Sequence, residues 1–195
     1  MLAGVTFAAL AAWEPSAAEP ASGTEVSARI TGIAAWIALA GFVTASVTDA
    51  LDGYLARRWD AVSTFGRIAD PLADKILVLG TLVMLAGPNL NTVSGVEAWM
   101  VVVILTRELL VTALRGYYEA RGLDFSAGLA GKAKMIAQAA GLGLILFAVS
   151  MERYVSAPGL ETLATVTAWV ITIVTAWSAW PYLERAIKAE REAAQ

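Results

Sequence analysis

The feature that most constrains this chain is a series of five apolar runs, each close to the length that a helix needs to cross a lipid bilayer. They occupy residues 30–48, 76–90, 96–114, 133–150 and 163–182. A spanning helix needs about 20 mostly apolar residues, because hydrocarbon offers its backbone groups no outside partners. Only 16% of the residues are charged, against about 25% in soluble domains. We therefore expect an all-α integral membrane protein.

The start of the chain differs from these runs. Residues 1–13 are apolar but too short to span, and no basic residue precedes them. We interpret them as the end of a truncated first membrane helix, followed by an exposed loop at 14–26. The expected fold is then a bundle of six transmembrane helices, with the first truncated, in a single domain covering residues 1–195. Pro71 is expected in the first turn of its helix, where its missing N–H costs nothing.

The basic residues predict the orientation of this bundle. A cytoplasmic loop at 53–69, the loop after the third complete run and the C-terminal tail, with their flanks, together hold 12 of the 14 Lys and Arg residues. Basic residues concentrate on the cytoplasmic side of membrane proteins. We expect a multi-pass protein of the cytoplasmic membrane. The net charge of −3 gives no reason to expect nucleic acid as a partner.

Four aspartates lie where one apolar run ends and the next begins. Asp49 and Asp52 are three residues apart, and Asp70 and Asp74 are four apart, so each pair shares a helix face. An antiparallel helix pair would bring both faces into one cavity. Two carboxylates about 5 Å apart repel by roughly 3 kcal/mol at an effective dielectric near 20, which a divalent cation would offset. Any one of these residues could instead be a solvated helix cap.

The chain contains no Cys and no His. A metal would therefore be held by oxygen ligands, which favours Mg²⁺, Mn²⁺ or Ca²⁺. The same absence excludes Cys nucleophiles and Ser-His-Asp catalysis.

The spacing of the aspartates resembles a known signature. The pattern Asp49-x2-Asp52-Gly53-x2-Ala56-Arg57-x8-Gly66-x3-Asp70-x3-Asp74 is similar to that of the CDP-alcohol phosphotransferases. This family has a six-helix membrane fold, cleaves a CDP-alcohol with release of CMP, and transfers the phosphoalcohol to a hydroxyl. The resemblance implies two divalent ions, Mg²⁺ or Mn²⁺, held by Asp49, Asp52, Asp70 and Asp74. It also implies that Asp74 is the general base.

The same resemblance implies a binding site for the CDP-alcohol. Gly53 and Ala56 would let the nucleotide approach the backbone, and the Arg57 guanidinium can bind a pyrophosphate. Ser63 falls where family members contact the nucleotide, although a loop serine is often only solvated. The implied CDP-alcohol site comprises Asp52, Gly53, Ala56, Arg57, Ser63 and Gly66.

Later segments around Thr106–Leu110 and Gly131–Lys134 resemble the bacterial phosphatidylglycerophosphate synthases of this family. The donor would then be CDP-diacylglycerol and the acceptor sn-glycerol 3-phosphate. A cationic pocket for the acceptor phosphate is expected from Arg107, Arg115, Lys132 and Lys134. These cations could instead face lipid phosphates, and Arg107 and Glu108 could pair within the bundle.

Other functions stay open at the level of sequence. A cardiolipin synthase of the same family would use phosphatidylglycerol as acceptor, and other members use other alcohols. An ion transporter also places carboxylates in the membrane, but such proteins often show internal repeats, which this sequence lacks. A structural membrane subunit would not need four aspartates at this spacing. Membrane lipid is an expected partner, and the sequence neither supports nor opposes a homodimer.

Overall fold

The computed structural model describes the backbone of residues 2–12, 24–58, 64–88, 90–123, 125, 128–152, 154 and 158–193. Within these segments the chain is helical and forms no strand. The helices in chain order are α1 (Leu2–Ala11), α2 (Thr24–Arg58), α3 (Thr64–Leu85), α4 (Asn91–Ser94), α5 (Ala98–Glu119), α6 (Leu129–Glu152), α7 (Pro158–Trp177) and α8 (Trp180–Ala193). The prediction of an all-α protein is confirmed for the described residues.

Within the described residues, two helical stretches are long and apolar enough to cross a membrane: Leu129–Glu152, which is α6, and Gly159–Glu192, which covers most of α7 and α8. Shorter apolar stretches lie in α2 and α3. Large apolar side chains also point outward, as shown by the exposed Val102, Ile136 and Ile173. A soluble monomer rarely exposes so much apolar surface. The fold is therefore that of a membrane protein.

The larger of two buried apolar clusters in the described part of the chain holds most of the helices together. It is formed where α1, α2, α3, α5, α6 and α7 meet, around the buried side chains of Phe42, Leu82, Ile104 and Leu146. Helices α6 and α7 approach closely at Gly141, where a Cβ atom would stand only 2.6 Å from Cδ1 of Ile171. Close packing of this kind fixes the helices relative to one another, and so fixes the polar residues near their ends.

The structure corrects the predicted loop at 53–69. Helix α2 continues to Arg58 and α3 begins at Thr64, so most of that range is helical. The prediction was wrong because charged residues end an apolar run without ending a helix, and Leu, Ala and Arg are good helix formers. Pro71 also lies in the helix interior rather than in the first turn, since α3 begins seven residues before it. Its ring removes one backbone hydrogen bond there.

The predicted span at 163–182 lies inside the apolar stretch Gly159–Glu192, but it is not one continuous helix. Helix α7 ends at Trp177, and Ser178 and Ala179 form a turn before α8. Pro181 has no N–H to donate to the carbonyl of Trp177, which favours a break at this point. The Ser178 hydroxyl donates to the carbonyl of Thr175 at 2.6 Å. The last apolar run is therefore divided between two helices.

Gly95, at the end of α4, has a left-handed backbone with φ of 65°. A Cβ atom there would stand 2.5 Å from Cα of Thr165 in α7. Strained backbone of this kind costs about 1–3 kcal/mol in a residue other than glycine. Gly95→Ala is therefore expected to lower the midpoint of thermal unfolding in detergent by about 5 °C.

The matched control for that prediction is Gly143→Ala in α6, because a Cβ atom there would meet nothing within 4 Å. Alanine is favoured over glycine inside a helix, so this variant is expected to be at least as stable as the parent. Equal destabilisation by the two substitutions would contradict the role given to Gly95.

Candidate active site

The four aspartates lie at matching levels of two consecutive helices. Asp52 is six residues before the end of α2 and Asp70 is six residues after the start of α3, while Asp49 and Asp74 are nine and ten residues from the same ends. The rise of 1.5 Å per residue puts the first pair at a depth of about 9 Å and the second at about 14 Å. Residues 59–63 link the helices, and such short connections join antiparallel neighbours. Each aspartate of α2 thus has a counterpart on α3 at a similar depth.

The side chains of this motif are described only in part. Those of Asp49 and Asp52 are exposed. The backbone of Gly53, Ala56 and Arg57 belongs to α2, and that of Gly66, Asp70 and Asp74 belongs to α3, while Ser63 lies outside the described residues. Among the side chains that are described, no three acidic residues converge on a metal position. Carboxylate oxygens are nevertheless the donors that suit Mg²⁺ and Mn²⁺.

A buried ionic cluster joins α5 to α6. Lys134 Nζ donates to Glu108 Oε1 at 2.9 Å, and Arg107 Nη1 donates to the same oxygen at 3.3 Å. The three residues are only 5–8% exposed. A buried carboxylate is tolerated between two cations because their charges offset its desolvation. The formal charge of this cluster is +1, which favours an additional anion.

The Arg107 guanidinium has N–H donors beyond the one that binds Glu108. Its Nη2 donates to the carbonyl of Ser178 at 3.4 Å, and its central carbon lies 5.7 Å from the ring centroid of Tyr182. Its Nε is buried and has no hydrogen-bond partner among the described residues. A buried donor without a partner costs about 1–3 kcal/mol. An anionic ligand would recover that free energy.

A chain of hydrogen bonds connects this cluster to the helix that carries two of the aspartates. Lys75, which follows Asp74 in α3, donates its ammonium proton to the Thr112 hydroxyl of α5. That hydroxyl donates to the backbone carbonyl of Glu108 at 2.6 Å. The side chain of Lys75, the residue after Asp74, therefore reaches α5 one turn from Glu108. The aspartate motif and the cationic cluster occupy the same end of the bundle.

The structure brings together two of the four residues predicted to bind the acceptor phosphate, Arg107 and Lys134. Arg115 instead contacts Glu119 on its own helix at 3.4 Å, and Lys132 is exposed. Sequence reasoning did not assign Ser178 and Tyr182 to the site. Nothing in the sequence marks them, because Ser178 contributes a backbone carbonyl and Tyr182 belongs to an apolar run.

Fold and site together define a helical membrane protein with a charged centre at one end of its bundle. Residues 24–177 match a sequence model of the CDP-alcohol phosphatidyltransferases. This match spans more than half of the chain, and the chain belongs to that family of transferases. The family inferred from the aspartate motif is thus confirmed.

Curated relatives share substantial identity with the chain. CDP-diacylglycerol--glycerol-3-phosphate 3-phosphatidyltransferase of Bacillus subtilis (strain 168) is 38% identical over 144 residues, which cover 74% of this chain and 70% of the relative. The Cereibacter sphaeroides protein of the same name is 36% identical over 121 residues, covering 60% and 52%. A probable phosphatidylglycerophosphate synthase of Mycobacterium tuberculosis (strain H37Rv) is 35% identical over 152 residues, covering 78% and 66%. The matched region therefore spans between about half and 70% of these relatives.

Proposed function

We propose that this protein transfers the phosphatidyl group of CDP-diacylglycerol to sn-glycerol 3-phosphate, releasing CMP and forming phosphatidylglycerophosphate. The observation that carries the proposal is the buried cluster of Arg107, Glu108 and Lys134, which has a net positive charge and lies beside the α3 segment that contains Asp74. The cluster suits an acceptor that carries a phosphate. The names of the relatives support the same reaction.

In this reaction a hydroxyl oxygen of glycerol 3-phosphate forms a bond to the phosphorus that bears diacylglycerol. The bond from that phosphorus to the oxygen bridging it to CMP breaks, and CMP leaves with the electron pair. The proton of the attacking hydroxyl passes to the carboxylate of Asp74, acting as general base. Arg107 and Lys134 bind the acceptor phosphate through charge-assisted hydrogen bonds and so orient the hydroxyl.

The donor site is proposed on the aspartate motif. Asp49, Asp52, Asp70 and Asp74 would hold two Mg²⁺ or Mn²⁺ ions, with the first three binding one ion and Asp49, Asp70 and Asp74 the other. Such ions neutralise charge on the phosphoryl oxygens when they are bound. The matching levels of the four residues on α2 and α3 support this arrangement. The nucleotide would contact Asp52, Gly53, Ala56, Arg57, Ser63 and Gly66.

The whole chain is proposed to form one domain, a six-helix bundle in which α2, α3, α5, α6 and α7 span the membrane and α1, with ten residues, is too short to span it. The end that carries the aspartates and the buried cluster would face the cytoplasm, because most Lys and Arg residues lie near it. Membrane lipid would cover the exposed apolar side chains. Roles for Arg115 and Lys132 in acceptor binding, and a homodimer, stay predictions from the sequence.

The test is CMP release by the detergent-purified protein with CDP-diacylglycerol and Mg²⁺, across a panel of acceptors. We expect CMP only with glycerol 3-phosphate, and we expect EDTA to abolish the reaction and excess Mg²⁺ to restore it. Release with phosphatidylglycerol instead would identify a cardiolipin synthase. Release with inositol phosphate or serine would also overturn the proposed acceptor. No release with any acceptor would overturn the proposed activity.

A further inference from the structure

The amphipathic helix α8 contacts the proposed acceptor site, although it lies beyond residues 24–177 that match the family. Its Tyr182 is only 4% exposed, and the tyrosine ring lies over the Arg107 guanidinium. The turn just before α8 supplies the Ser178 carbonyl that accepts from Arg107 Nη2. Two of the three described contacts of this guanidinium therefore come from α8 and from the turn that precedes it.

Helix α8 is held in this position by a second apolar cluster. Val111, Tyr118 and Phe125 pack with Ala179, Tyr182 and Ala186. The Tyr118 ring stacks on Phe125, and its hydroxyl shares one proton between two acceptors, the Ala186 carbonyl at 3.2 Å and Glu190 Oε1 at 3.1 Å. These contacts tie α5 to α8.

We propose that Tyr182 is a positioning residue for the acceptor, acting through Arg107. This inference rests on the proposed function, in which Arg107 binds the acceptor phosphate. The side chain of Arg107 is long and has many rotamers, and a planar guanidinium binds phosphate best when its plane is fixed. The Tyr182 ring restricts the guanidinium plane from one side. Glu108 and the Ser178 carbonyl accept hydrogen bonds from two of the guanidinium nitrogens. The third nitrogen, Nε, is left for the ligand.

The test is the affinity of glycerol 3-phosphate for Tyr182→Leu, measured by titration calorimetry without donor, together with KM values for both substrates. A desolvated contact between a cation and an aromatic ring is favourable enough that loss of the Tyr182 ring is expected to weaken acceptor binding about tenfold. We expect the dissociation constant and the KM for glycerol 3-phosphate to rise by that factor, while the KM for CDP-diacylglycerol stays within about twofold. Tyr182→Phe retains the ring and is expected to restore most of the affinity.

The matched control is Tyr118→Leu, which removes a tyrosine of the same cluster that no described contact joins to Arg107. Because Val111 and Phe125 still pack against Ala179, Tyr182 and Ala186, it is expected to weaken acceptor binding by less than about threefold. If Tyr118→Leu weakens binding as much as Tyr182→Leu, or if Tyr182→Phe fails to restore affinity, the positioning role is overturned.

The binding measurement also separates this inference from the proposed function. Wild-type protein that binds glycerol 3-phosphate in the Tyr182-dependent way, yet releases no CMP, would support the positioning role and overturn the activity. Wild-type protein that does not bind glycerol 3-phosphate would overturn the positioning role for this acceptor.

Discussion

Replacing Asp74 with asparagine is expected to lower the rate of CMP release by about a thousandfold, the range for loss of a positioned general base. Asparagine has nearly the same shape but cannot accept the proton of the attacking hydroxyl. It is also a weaker ligand for a divalent cation than a carboxylate is. The measurement is CMP formation with saturating CDP-diacylglycerol, glycerol 3-phosphate and Mg²⁺.

The matched control for Asp74→Asn is Glu97→Gln, which neutralises an exposed carboxylate just before α5, at the other end of the bundle. This variant is expected to keep its rate within about twofold, because an exposed charge far from the reacting atoms contributes little. Asp74→Asn with near-normal activity would contradict the assignment of the base, and an equal loss in both variants would show that the effect is not local.

Replacing Arg107 with glutamine is expected to raise the KM for glycerol 3-phosphate about a hundredfold, because charge-assisted hydrogen bonds contribute about 1.5–3 kcal/mol each. The buried cluster would also become neutral, with Lys134 and Glu108 left as a pair. Because Glu108 keeps a partner, the variant should still fold. Arg107→Lys retains the charge but loses the planar guanidinium with its paired donors, so an intermediate KM for glycerol 3-phosphate is expected.

Steady-state kinetics with each substrate varied in turn would test this prediction. The KM for CDP-diacylglycerol is expected to change by less than about threefold, since the donor is bound on α2 and α3. Lys188→Met is the control, because it removes a cation that is 78% exposed on α8 and such a cation contributes little. A similar rise in KM for both substrates would indicate a general loss of structure instead of a lost acceptor contact.

Hydropathy predicted the main helices well but not where they end. The apolar run at 30–48 lies inside α2, which continues for another ten residues to Arg58. A bilayer requires low charge only where lipid surrounds the helix. The part of a helix that extends beyond the membrane is therefore not apolar, and hydropathy does not show where that part ends. The same limit applies to α8, whose polar face exposes Glu184, Arg185 and Lys188.

The candidate site was predictable where it is local in sequence. The spacing of Asp70 and Asp74 is fixed by one helix, and a pattern of spacings can be read directly. The pairing of Lys134 with Glu108 depends on how α5 packs against α6, and the contact of Arg107 with Tyr182 depends on the turn at Ser178. These two contacts join residues that are 26 and 75 positions apart. These contacts depend on tertiary packing, which no local pattern in a single sequence reveals.

The exposed apolar faces of α5, α6 and α7 belong to a bundle that also holds the buried ionic cluster between α5 and α6. In the proposed reaction the two substrates therefore arrive from different phases, the donor by lateral diffusion in the leaflet and the acceptor from bulk water. Donor supply then follows its mole fraction in the surface, whereas acceptor supply follows its molarity. Adding inert lipid at constant total donor would slow the enzyme by surface dilution while leaving acceptor saturation unchanged.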